Sequence, residues 1–97
     1  MERENQPPNR STDSVVAVAT SSTPLLAARP GLRARVVLKN TDTANPVYIN
    51  FANGTATTSD FPLLHGESVE MHGDGAVTAI ATGGSVNVAI LEEWYSG

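Results

Sequence analysis

Between residues 14 and 91 the apolar positions come in short alternating runs, each broken by Gly, Pro, Asn or Asp. This spacing predicts strands, because successive side chains of an extended chain point to opposite faces. The first run covers residues 14–20, with Val16 and Val18 on one face and Val15, Ala17 and Ala19 on the other. Ser21-Ser22-Thr23-Pro24 breaks it. Residues 25–28 are apolar but too few to separate a strand from a helical turn, and Pro30-Gly31 supplies a turn. Residues 33–40 give the clearest period of two. Ala34, Val36 and Leu38 share one face, and Arg33, Arg35, Val37 and Lys39 share the other.

Pro46 opens the next run, where its missing donor costs least, and Val47, Ile49 and Phe51 point inward opposite Tyr48 and Asn50. Residues 52–60 are small, polar and Thr-rich, as expected of a surface loop; Asn53-Gly54 reads as a turn. Residues 61–64 return apolar side chains to the core before His65-Gly66 turns the chain. In residues 67–72 Val69 and Met71 face inward. Residues 76–82 and 85–91 read as a hairpin closed by Gly83-Gly84, with Val86, Val88 and Ile90 facing the core. Six to eight short strands at this spacing predict an all-β fold, a compact antiparallel sandwich or barrel.

Composition sharpens the domain boundaries. The chain has 97 residues, room for one small domain. Residues 1–12 are almost wholly polar and lack an apolar pattern to offset the entropy of ordering, so they read as a flexible arm before a single β domain over residues 13–97. With no cysteine, neither a disulfide nor a thiolate metal site is open to it. A domain this small buries a limited share of its surface, and self-association buries more. The N-terminus lacks the apolar core of a signal peptide, and the run 15–19 is too short to cross a bilayer, which points to cytoplasmic synthesis and no membrane partner.

Charge is unevenly divided. Residues 1–39 hold all six basic side chains (Arg3, Arg10, Arg29, Arg33, Arg35 and Lys39) against three acidic ones, whereas residues 40–97 hold seven acidic and none basic. Opposite-signed regions can dock between subunits and set register; the alternative is a scatter of solvated charge. A net charge of −4 argues against nucleic acid as a partner. At the C-terminus Trp94, the single tryptophan, and Tyr95 offer rigid aromatic area, suited either to capping the domain's own core or to an intermolecular contact. The candidate interface set is therefore Arg10, Arg33, Arg35, Lys39, Tyr48, Trp94 and Tyr95.

Candidate chemistry is sparse. His65, Glu67, Glu70, His72 and Asp74 form the densest group of ligand-type side chains. On a strand, however, Glu70 and His72 share a face that Glu67 does not. Ser68, Ser85, His65, His72 and Asp74 supply the residue types of a hydrolase triad without its nucleophile elbow. Glu92 and Glu93 are adjacent, so a strand points them apart. Gly83-Gly84-Ser85 lacks the lysine of a phosphate-binding loop. No catalytic residue, cofactor or metal is expected.

Residues 36–71 carry a resemblance. Val36-Val37-Leu38-Lys39-Asn40-Thr41 is followed by Asn45-Pro46-Val47-Tyr48-Ile49, then Ala56-Thr57-Thr58-Ser59, Phe61-Pro62-Leu63-Leu64 and Gly66-Glu67-Ser68. Together with Ala79-Ile80-Ala81 and Val86-Asn87-Val88, this resembles small β-rich virion structural proteins of tailed bacteriophages. The sequence departs from that pattern at Asp60-Phe61, where a glycine-containing turn is common. The resemblance implies a passive role: a decoration or cement protein on the outer surface of the capsid, bridging major capsid protein subunits. A trimer is favoured, with the N-terminal arm helping to anchor it. The second reading is a head-fibre, tail or baseplate attachment module. A carbohydrate-binding module that stacks sugars on Tyr48 or Trp94 is the third reading.

Overall fold

A computed structural model describes residues 8–95. Eight strands follow in order: β1 Arg10–Val18, β2 Thr23–Leu26, β3 Arg33–Asn40, β4 Val47–Asn50, β5 Phe61–Leu63, β6 Ser68–Met71, β7 Val77–Ala81 and β8 Val86–Trp94. They form two four-stranded sheets, ordered β1-β8-β3-β6 and β2-β7-β4-β5, and each neighbouring pair is antiparallel. The all-β expectation holds in its sandwich form. Consecutive strands alternate between sheets except β4 and β5, which pair within one sheet, and this order is that of an eight-stranded jelly roll.

The core lies between the sheets. From one sheet come Val18, Val36, Leu38, Val86, Val88 and Ile90, and from the other Leu25, Val47, Ile49, Leu63, Val77, Ala79 and Ala81. Val36, Leu38, Val47, Ile49, Val86, Val88 and Ile90 are inward positions that alternation predicts, whereas the small side chains of residues 76–82 left the inward face of β7 undecided. Val16, Phe51, Val69 and Met71 pack around that core.

Three expectations change. Strand β1 begins at Arg10, so Arg10, Ser11 and Thr12 pair with Trp94, Glu93 and Glu92 of β8. The paired domain thus reaches into the segment read as an arm, and the rest of that segment, residues 1–7, lies outside the described residues. Second, β7 and β8 are not a hairpin. They belong to different sheets, and their apolar faces meet across the core instead of their edges pairing. Gly83-Gly84 therefore lies in a connection between sheets, where Gly84 takes φ +63°. Third, the register of β3 against β8 shifts between Arg33 and Arg35. A bulge re-aims the side chain beside it. Arg33, expected on the solvent face, turns inward and is 6% exposed.

Candidate interaction site

Arg33 closes one end of the sandwich. Its Nε donates to Glu92 Oε2 at 3.0 Å, and its terminal nitrogens donate to the carbonyls of Gly73, Gly75 and Ala27. Glu92, 2% exposed, also accepts from Arg29 Nε at 2.7 Å. The Arg29 guanidinium lies 3.7 Å from the centre of the Trp94 ring, a cation–π contact. This assembly ties β3, β8 and the loops before β3 and β7 together. Among the described residues no buried side-chain nitrogen or oxygen lacks a partner. Arg33 is thus an internal brace and not an interface residue. One face of Trp94 is occupied from within the chain, in line with a capping role.

On the outer face of the same sheet, Arg35 Nε donates to Glu93 Oε1 at 2.7 Å, and Arg35 lies 3.4 Å from Glu70 Oε1. The Glu93 hydrogen bond and charge push the Arg35 pKa up. Glu70 in turn lies 3.2 Å from His72 Nε2, as their shared strand face predicted. The opposite-signed halves of the sequence therefore meet within one chain. β3 carries the arginines and is flanked by β6 and β8, which carry the glutamates.

The remaining acids organise loops. Asp42 Oδ2 accepts from the backbone N–H groups of Ala44 and Asn45, which lowers its pKa. Asp60 accepts from Thr57 N–H, Glu67 from Leu64 N–H and Asp74 from Gly31 N–H. The His65–Asp74 group is consequently spread over turns and one outer face. Among the described residues no three His, Asp or Glu side chains are placed to hold a metal.

The interface set does not form one surface. Arg35 and Lys39 share the outer face of the β1-β8-β3-β6 sheet with Asp13, Val15, Val37, Ala89 and Leu91. An open groove of about 390 Å³ runs between β1 and β3 over Asp13, Val15, Val37, Lys39, Ala89 and Leu91. Tyr48 lies half-buried on the other sheet, paired with Pro62 and Ile80. Arg10 is exposed at the start of β1. Tyr95 is half-buried, and its N–H donates to the Leu32 carbonyl. The basic residues drew attention to the face, but its apolar members were missed. Their signal is the continuous apolar run 88–91, where alternation alone would make Ala89 and Leu91 polar. No protein-family model matches the chain, and no curated protein matches it.

Proposed function

We propose that this chain is a non-enzymatic virion structural protein that binds the outside of a phage head and stabilises it as a decoration or cement subunit. The supporting observation is the resemblance over residues 36–71, whose segments fall on consecutive elements. Val36–Thr41 runs along β3, Asn45-Pro46 leads into β4, Phe61–Leu64 covers β5, and Gly66-Glu67 turns into β6. Jelly-roll sandwiches recur in capsid and lectin domains, which supports the reading by analogy of fold. The partner is the major capsid protein or another virion component, and the working form is a homo-oligomer.

Washed particles and a virion reconstruction test the proposal. A decoration protein appears in many regularly spaced copies on the shell, and purified heads lacking it disrupt at lower temperature than heads to which it is added back. Copies confined to vertices or the tail move the assignment to a fibre or attachment module. Particles containing none of the protein refute the virion role.

A further inference from the structure

We propose that the outer face of the β1-β8-β3-β6 sheet is a two-fold interface between copies of this chain, a conclusion that does not depend on the virion role. Strands covered on only one face alternate apolar and polar residues, whereas strands buried on both faces read as continuous apolar runs. The three adjacent strands of this sheet carry such runs: residues 15–18 on β1, 36–38 on β3 and 88–91 on β8. Their inward members fill the core. Their outward members, Val15, Val37, Ala89 and Leu91, line the groove, and Val15 is 64% exposed.

The occupant follows from the two charges that flank this patch. The register places Val15, Ala89 and Lys39 in one row across β1, β8 and β3, and Asp13, Leu91 and Val37 in the next. Asp13 and Lys39 are thus opposite corners of a rectangle whose other corners are Val15 and Val37. Its sides are about 7 Å along the strands and about 10 Å across them. Neither Asp13 nor Lys39 forms an ion pair within the described residues. A dyad lying along the Val15–Val37 diagonal brings Asp13 of each copy over Lys39 of the other, within reach of the lysine side chain. It stacks Val15 on Val15 and Val37 on Val37, and sets Leu91 against Ala89. The same rotation carries Glu70 of each copy toward Arg35 of the other. The strands of the two sheets then cross at about 70°, nearer the orthogonal than the aligned way for sheets to pack. A patch with this arrangement is complementary to itself, as a two-fold interface requires.

Area sets the strength. Four strands at about 4.8 Å spacing make each sheet about 19 Å wide, and two such sheets overlap over roughly 400 Å² where they cross. Two copies cover on the order of 800 Å², below the range of stable specific interfaces, so the dimer is weak and concentration-dependent. The symmetry is a dyad, in place of the three-fold arrangement that the phage resemblance implies.

Sedimentation velocity of the full chain from about 10 µM to 1 mM tests this. The wild type is expected to pass from monomer to dimer in that range. D13K and K39D each place like charges at both ends of the contact and are expected to raise the dissociation constant at least about ten-fold. The double exchange D13K/K39D restores the pairing with its sign reversed and is expected to return the constant to within about three-fold of wild type. Both positions are exposed, so circular dichroism and thermal melting of each variant should match wild type. A chain that stays monomeric at 1 mM, a trimer indifferent to both single changes, or a double variant as weak as the singles overturns the proposal. So does a monomer that binds phage heads through this face, which would make the shell its occupant.

Discussion

At the scale of single residues, Glu92 is the side chain on which most depends. It is buried, and one of its oxygens accepts from both Arg29 and Arg33. Arg33 is wholly enclosed and has no other carboxylate partner among the described ion pairs. Taking one member out of a buried pair leaves an uncompensated charge, which costs about 3–5 kcal/mol, whereas replacing both by apolar groups is often neutral. Glu92→Gln is therefore expected to lose about 3–5 kcal/mol in urea unfolding. The pair R33M/E92L should lose less than either single change, because no lone charge remains inside. A double variant as unstable as the two single losses combined would show that the brace acts through its hydrogen bonds to Gly73, Gly75 and Ala27 and not through charge. Sequence reading placed Glu92 and Glu93 on opposite faces correctly, since that follows from strand period alone. It placed Arg33 outward because a one-residue bulge at Ala34 is invisible to a period-two count, and the bulge inverts the side on which Arg33 falls.

At the scale of elements, the inward positions of β3, β4, β6 and β8 were legible because each is a short apolar alternation. What was not legible is which strands pair. Two apolar strands separated by Gly-Gly fit a hairpin or a crossing between sheets equally well, and the choice rests on contacts distant in sequence. The acids of the second half were likewise read as surface charge, although several fasten loops. The corner between β3 and β4 shows how. Asn40, fully buried, donates to the carbonyls of Asn45 and Leu63 and accepts from Asp42 N–H. Asp42 then accepts from Ala44 and Asn45 N–H groups. Those bonds favour the charged carboxylate and hold its pKa below the unfolded value of about 4. The native state therefore binds the proton more weakly than the unfolded chain. The stabilisation is fully present above about pH 4 and is lost as pH falls through the native pKa. Asp42→Ala should melt below wild type at pH 7, and the difference should shrink steadily below about pH 4. A difference that stays constant from pH 6 to pH 2 would mean that Asp42 acts by some means other than its charge.

For the whole molecule, the decisive feature is that β1 and β8, nearly the full described length apart in sequence, lie side by side over nine residue pairs. Polar composition set the domain boundary at residue 12, yet Arg10, Ser11 and Thr12 continue the ladder opposite Trp94, Glu93 and Glu92. Composition misleads there because the sandwich leaves that end of β1 exposed, so it needs no apolar side chains to pair through its backbone. Those three pairs also lie beside the buried Glu92 brace, and cross-strand pairs contribute roughly 0.2–1 kcal/mol each. A chain beginning at Asp13 should therefore fold with about 1–2 kcal/mol less stability than one beginning at Pro8. For a domain of this size that is a fall in melting temperature of roughly 5–15 °C. Equal melting temperatures would show that the polar end of β1 adds nothing to the sheet, and would return the boundary to residue 12. The comparison also separates two roles of the N-terminal region. If the chain beginning at Pro8 melts like the full chain but binds phage heads more weakly, residues 1–7 serve attachment. If it binds heads as tightly as the full chain, attachment must come from the folded sandwich instead.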